Sequence, residues 1–295
     1  MKKYVIVTDS CSDLEKELRE KYDIDYIPMH ITSGDEEYLA DLDWGQISVK
    51  DFFDSMRAGK IYKTAQITEK QYTEAYEKYI NDGYDILSIS CSSALSASVK
   101  ASQKVAEDLM AKYPDSKIVC IDSLSACYGL GLLCITASEL RKEGKSIEET
   151  AAYIEENKLK MNQECTVEKL TYLKNAGRVS AASAFFGGLL SVKPIIISDA
   201  KGINNAVEKV KGRKAAIARV AERVAEEYIK GPYQKVYFEH ADCIEDLEVL
   251  KDLVLSKIDT NGVEIHVGTL GPIIGASAGP GTVAVFFFGK EVTVK

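Results

Sequence analysis

Three short apolar runs in the first half of the chain end in the same way. "KYVIVTD" (3–9) leads into "SCSD", "YDILSIS" (84–90) into "CSSALS", and "KIVCID" (117–122) into "SLSA". A helical pattern follows each loop. Apolar runs of this length, bounded by turn residues, read as strands buried on both faces. Strands alternating with helices read as a parallel sheet covered on each side. In such a sheet the ligand crevice lies beyond the carboxyl ends of the strands, so the three loops are expected to meet at one crevice.

The densest of these loops is "SISCSSALSAS" (88–98), with six serines in eleven positions. Helix N-termini carry unpaired N–H groups and partial positive charge, and hydroxyls beside them make a neutral, donor-rich anion site. No lysine or arginine stands in the loop. A phosphate would recruit one, whereas a single carboxylate is served by neutral donors. Plain helix capping by Ser92 or Ser93 is the alternative reading. A second polar stretch, "KTAQIT" (63–68), offers Thr64 and Gln66 as further donors, with Thr68 placed to cap the helix after it.

The rest of the chain extends this frame. Helices are predicted over 12–22, 48–60, 68–82, 94–113, 126–144 and 146–160, and a further strand over 25–32. After about residue 160 the texture changes. A strand at 162–170 is followed by a helical stretch over 172–190 interrupted by Gly177. Two strands within 192–211 turn at Lys201-Gly202, a long helix spans 213–230, and strands lie at 234–241, 264–270 and 282–289. The expected fold is α/β with two lobes. Residues 1–160 form an N-terminal lobe whose mostly parallel sheet is sandwiched by helices. Residues 161–295 form a C-terminal α+β lobe with a mixed or antiparallel sheet, and 268–281 pack back on the first lobe.

Composition removes several functions. Forty-six per cent hydrophobic and 28% charged residues over 295 positions describe a globular chain with a sizeable core. A net charge of −8 argues against nucleic acid as a partner, since phosphate neutralisation needs a concentrated positive face. Seven cysteines, at 11, 91, 120, 127, 134, 165 and 243, show no C-x-x-C and sit among apolar or small residues, as expected of free thiols in a reducing cytoplasm. The N-terminal apolar run is too short for a secretory signal. The uncharged stretch 267–289 holds six glycines and two prolines, which excludes a continuous spanning helix, and reads as a buried loop followed by a core strand. The histidines, His30, His240 and His266, are scattered, and no metal or cofactor motif is present. "GASAG" (275–279) matches the nucleophile-elbow pattern, but the elbow needs a helix after its serine and acid and histidine partners later in the chain. Gly-Pro-Gly and an apolar strand follow, with no Asp or His.

Taken together, these segments resemble the DegV family of bacterial lipid-binding proteins over nearly the whole chain. "VTDSCSDL" is similar to the family's opening aspartate-serine motif. "KTAQIT" stands at its Thr-Ser-Gln-Pro-Ser block and "SSALSAS" at its Ser-Ser-x-Leu-Ser-Gly-Thr block. "YLKNAGRVS", "VKPII", "KVKGRKAAI" and "IIGASAGPG" follow the later blocks in order. The resemblance implies a non-catalytic protein that holds one long-chain fatty acid between two lobes and presents its carboxylate to an ATP-using kinase subunit. It places Thr64 and Ser96 on the carboxylate, with Ser93 and Gln66 as neighbours. Arg178 falls near the tunnel mouth and Arg213 at a partner surface. Phe185 and Phe186, within "SAASAFFGGLL", would line the tunnel. The sequence departs from the family at Ala65, Ile67, Ala97 and Ser98. Ser277 stands where a histidine associated with the phosphoryl-transfer end often occurs, a departure that bears on the kinase partnership rather than on lipid binding.

A lipid is physically sensible here. Burying a methylene yields about 0.8 kcal/mol, so roughly fourteen of them, as in a chain of about sixteen to eighteen carbons, give on the order of 11 kcal/mol before ordering costs. No stable membrane insertion is needed. The competing reading is a serine-dependent hydrolase or transferase acting on a small acyl or acidic substrate in the same crevice, with Ser93 or Ser96 as nucleophile and Asp9 or Asp122 as acid or base. A ligand-free regulatory module is the third, and it requires a filled gap between the lobes. The basic run Lys209, Lys211, Arg213, Lys214 reads as a solvated helix start or as a docking patch.

Overall fold

A computed structural model describes residues 2–180 and 191–294. Along the chain, β1 (Tyr4–Asp9) passes through a 3-10 turn (Ser10–Ser12) to α1 (Lys16–Tyr22), and β2 (Ile24–Ile27), β3 (His30–Ser33) and β4 (Glu36–Leu39) follow. Next come α2 (Val49–Arg57), β5 (Lys63–Ala65), α3 (Glu69–Asn81), β6 (Asp85–Ser90), α4 (Ser98–Lys112), β7 (Ile118–Asp122), α5 (Cys127–Lys142) and α6 (Ile147–Asn157). The remainder is β8 (Met161–Thr166), α7 (Thr171–Ala176), β9 (Val179–Ser180), β10 (Val192–Ser198), β11 (Asn204–Lys211), α8 (Arg213–Glu227), β12 (Lys235–His240), α9 (Ile244–Leu255), β13 (Glu264–Thr269), α10 (Pro272–Ala278) and β14 (Val283–Phe288).

These strands make three sheets. The first is wholly parallel, in the order β2-β1-β6-β7. The second is mixed, in the order β13-β12-β14-β8-β10-β11-β9, with the β10–β11, β10–β8, β12–β14 and β14–β8 pairings antiparallel. The third is a small antiparallel sheet, β4-β3-β5. The mixed α/β class read from the sequence is the one observed.

Three segments differ from the sequence reading. Of the helical stretch expected over 172–190, only α7 is helix among the described residues; past Gly177, at φ 68°, Val179–Ser180 pair with Asn204–Asn205 as strand β9. The predicted strand over 25–32 is two strands, and they belong to different sheets. Pro28 lies between them; it has no N–H to donate to a ladder, so the chain leaves the parallel sheet there and β3 starts the small one. The buried loop expected within 267–289 contains α10, with Gly271 at its N-cap, Pro272 in its first turn and Gly279 beyond its end at φ 81°. Proline at the start and glycine past the end are helix punctuation, and the glycine-rich composition conceals it.

The layers meet on α5. Thirteen of its sixteen residues are buried, and it packs on β1, β2 and β6 of the parallel sheet and on β8, β12 and β14 of the mixed one. Gly129 permits the close approach: a Cβ there would stand 2.1 Å from Ser125 Oγ and 3.3 Å from the Phe286 ring. One continuous core therefore runs from Val7 and Leu87 through Leu132 to Tyr237 and Phe286. A second core fills the far face of the mixed sheet beneath α8 and α9. The segment containing α10 lies on β3, β5 and the turn after β1, as well as on α7.

Candidate functional site

The parallel register places the ends of β1, β6 and β7 side by side, with Ser90 opposite Asp122 and Val7 opposite Ser88. Asp9 ties two of the loops that leave them: Oδ1 accepts the Cys11 N–H and Oδ2 the Cys91 N–H, each at 2.9 Å. Asp122 does the same for the third, its Oδ1 accepting the N–H groups of Ser93 and Leu124 at 3.1 Å each. Burial pushes the Asp9 carboxyl above its ordinary range. Both aspartates are thus bound to backbone amides.

Beyond these loops, against the inner face of the mixed sheet, lies a cavity of about 310 Å³. Its wall is largely apolar: Leu95, Leu173, Leu270, Ile273, Ile274 and Phe286 supply the bulk. Small and soft residues leave the room, among them Ala126, Ala278 and Ala284 and four of the seven free cysteines, Cys11, Cys91, Cys127 and Cys165. Burial raises the Cys91, Cys127 and Cys165 thiols, the last to about 12, and the contact with Cys91 together with burial raises Cys11, so all four are neutral and serve as wall rather than as nucleophiles.

Polar groups gather at one part of this wall. Thr64, on β5, is half-buried, and no hydrogen bond engages its hydroxyl among the described residues. Gln66 and Ser277 line the same space. Ser96 Oγ lies 2.9 Å from Ser98 Oγ and accepts the Ser98 N–H at 3.2 Å, while Ser98 Oγ accepts the Ile67 N–H at 3.3 Å. This short chain joins the serine loop to "KTAQIT". Arg178 is the one charged lining residue among those described; its Nε donates to the Leu95 carbonyl at 2.9 Å and its Nη1 to that of Ala176. Facing it, Gln163 donates to Asn204 Oδ1 at 3.0 Å, and Asn204 donates to the Arg178 carbonyl at 3.0 Å. Thr64, Arg178 and Ser277 also line an adjoining cavity of about 300 Å³ that carries Lys60 and Lys63. Thr64, Arg178 and Ser277 thus form a polar collar common to the greasy chamber and to a vestibule in which Lys60 is paired with Glu36 at 2.6 Å.

The structure sets Thr64, Gln66, Ser96, Arg178 and Ser277 around one cavity. Ser93 is exposed and does not line it, because Asp122 holds its backbone outward. Ser92 does not cap a helix either; its Oγ accepts the Ala94 N–H within the loop, and α4 starts at Ser98 without a side-chain cap. Thr68 caps α3, in a reciprocal pair with Gln71. Ser277 falls in the last turn of α10 rather than on a strand-to-helix elbow. Arg213 turns inward, its Nε on Asp246 Oδ2 at 2.8 Å and its side chain 17% exposed, and it does not line the cavity. Phe185 and Phe186 lie outside the described residues. Gln163, Asn204 and the four wall cysteines escape sequence reasoning, because they come from strands and loops far apart in the chain.

Geometry for serine catalysis is lacking among the described residues. The partner of Ser96 is Ser98, and the three histidines bond elsewhere: His240 accepts the Cys243 N–H, His266 meets Glu15, and His30 lies 3.9 Å from Glu37. No described helix is long and apolar enough to cross a membrane.

Comparison with known proteins places these features in a family. The sequence profile of the DegV family, described as uncharacterised proteins, matches residues 3–290. A DegV domain-containing protein of Clostridium perfringens is 37% identical over 290 residues, 98% of each chain. The fold is similar to that of a DegV family protein from Thermus thermophilus whose structure reports fatty acid binding (TM-score 0.86, 25% identity, 98% of this chain and all of that one). It is likewise similar to DegV from Bacillus subtilis, a fatty acid binding protein (TM-score 0.82, 27% identity, 98% of this chain and all of that one).

Proposed function

The chain belongs to the DegV family, and we propose on that premise that it binds one long-chain fatty acid, with the acyl chain in the apolar chamber and the carboxylate at the collar. The observation that carries this reading is the division of one cavity into an apolar interior and a rim of hydroxyl, amide and guanidinium donors. A carboxylate buried without partners costs several kcal/mol, and Thr64 and Ser96, with Gln66 and Arg178 beside them, supply hydrogen bonds at the rim. The interior contributes more of the affinity, on the order of 11 kcal/mol for roughly fourteen methylenes before ordering costs. Binding of fatty acids by the Thermus and Bacillus relatives supports the same ligand class.

The chain itself performs no chemistry in this reading. It presents the carboxylate through the vestibule to an ATP-using kinase subunit, which forms the acyl phosphate. This step rests on the family resemblance, and Ser277, in place of a histidine, makes it the step most open to departure. A reducing, cytoplasmic setting fits seven cysteines that are all free thiols.

Mass spectrometry of the untreated protein under native conditions, followed by solvent extraction, tests the ligand. One acyl chain of about sixteen to eighteen carbons per subunit is expected. Recovery of water-soluble metabolites alone would reject the proposal. Ester or acyl-phosphate turnover by the isolated chain would replace it with the hydrolase reading.

A further inference from the structure

Beside the cavity wall, three side chains from distant parts of the sequence meet in the interior. Asp13 follows the turn after β1, Cys127 opens α5, and Glu239 lies on β12. Their ligand atoms lie within 4.8 Å of one another. All three are buried, at 3%, 7% and 0% exposure. Neither carboxylate has a hydrogen-bond partner for either oxygen among the described residues, and no basic side chain pairs with them there. The backbone N–H groups of Gly271 beside Asp13 and of Tyr128 beside Glu239 fall short of hydrogen-bond geometry. Asp9, buried just as deeply, takes two backbone amides instead.

Two adjacent carboxylates buried without counter-charge are costly, by several kcal/mol each. A protein removes that cost with a bound cation or by keeping the acids neutral. The third group decides the class of cation. Calcium and magnesium take oxygen ligands, whereas a thiol with two carboxylates suits zinc, which accepts sulfur at about 2.3 Å and carboxylate oxygen at about 2.0–2.2 Å. Tetrahedral bonds of those lengths set sulfur and oxygen about 3.6 Å apart, so atoms that lie within 4.8 Å of one another need to approach by little more than about 1 Å. A metal deprotonates a coordinating thiol, so the raised Cys127 thiol is no obstacle; its proton leaves to solvent. Gly271 keeps room for the carboxylate, because a Cβ there would stand 2.5 Å from Asp13 Oδ1. Nearer the surface, Glu15 and His266 bond each other, and Glu15 accepts the Tyr128 hydroxyl at 2.7 Å.

We propose that Asp13, Cys127 and Glu239 form a binding site for one divalent cation of the zinc class, with the fourth position left to water. The site joins the two main sheets. Asp13 and Cys127 flank the parallel one, Glu239 belongs to the mixed one, and Cys127 also lines the cavity. A cation there bolts the two halves together beside the ligand chamber. The sequence shows no metal motif because the three ligands are more than a hundred residues apart in succession. The proposal does not depend on the lipid reading.

The test uses the full chain, stripped with a chelator and then titrated separately with zinc chloride, cobalt chloride and magnesium chloride. One equivalent of zinc should survive gel filtration and raise the melting temperature, and magnesium should do neither. Cobalt should give a thiolate charge-transfer band. Glu239→Gln and Cys127→Ser should each lose the retained equivalent, and the band should vanish with Cys127→Ser. Should those variants fail to fold, alkylation mapping of the wild type decides, since zinc should protect Cys127 selectively among the seven cysteines. No retained zinc, equal uptake by the variants, or unprotected Cys127 would overturn the site. None of these outcomes bears on whether an acyl chain is bound.

Discussion

The two faces of strand β14 show how one sheet makes both a solid core and a chamber. Val283, Val285 and Phe287 point to α8 and α9 and are sealed among Val220, Val224, Leu247 and Leu250. Ala284 and Phe286, between them in sequence, point the other way and line the cavity. Strand β8 repeats the division: Gln163 and Cys165 face the chamber, while Glu164 is paired with Arg223 of α8. Side chains alternate with period two, so a single strand can pack one face to crystal-like density and leave the other short of volume. Branched and aromatic residues fill the first face; alanine, cysteine and an amide leave space on the second.

The sharpest way to break this contrast is to fill the chamber. Ala284→Phe should abolish acyl retention in the extraction assay while the protein stays folded; retention at the wild-type level would show that the chain lies elsewhere. On the opposite face, Phe287→Ala should lower unfolding free energy by about 3–5 kcal/mol in denaturant titration and leave the amount of bound lipid unchanged.

A third test uses Glu164. Burial raises its carboxyl from the ordinary 4.5 to about 7, against the lowering effect of Arg223, with Glu208 and Glu227 nearby adding to the rise. The native state then holds this proton more tightly than the unfolded chain does. Its contribution to stability is full below about pH 4.5 and is lost as pH rises through 7, by at most about 3 kcal/mol. Glu164→Gln should remove that slope, so the melting temperature of the variant minus that of the wild type should climb between pH 4.5 and 7. A flat difference would mean that Arg223 holds the glutamate ionised throughout. The smallest effect is expected at the collar. Thr64→Val with Ser96→Ala should weaken acyl retention by about 10–100-fold, as lost hydrogen bonds to a charged group imply, without unfolding the lipid-free protein. Unchanged retention would remove both hydroxyls from the site.

Much of the fold was legible because it is written in local pattern. The apolar runs of β1, β6 and β7 and the periodic helices between them announce a parallel sheet, and the Lys201-Gly202 turn announces the β10–β11 hairpin. Helix α10 was missed because glycine and proline dominate it, although Pro272 and Gly279 stand where a helix begins and ends. The split at Pro28 was missed because both halves are strand-like, and only the sheet each joins tells them apart. The collar was partly legible, since Thr64, Gln66 and Ser96 lie in two compact polar segments. Gln163 and Asn204 were not, because their meeting depends on strand register in a sheet built from distant pieces. Glu239 sits in "VYFEHA", an acid inside an apolar strand. That is a signal in itself, but its meaning needs Asp13 and Cys127 beside it.

The burial of α5 against both large sheets decides how a ligand enters and leaves. Swinging the halves apart like a clamshell would strip apolar cover from a helix with thirteen shielded residues, at a cost far above what thermal fluctuation supplies. If the chamber takes an acyl chain as proposed, exchange is then expected to proceed past the polar rim, with Thr64, Ser96 and Arg178 setting its rate, rather than by opening of the two halves.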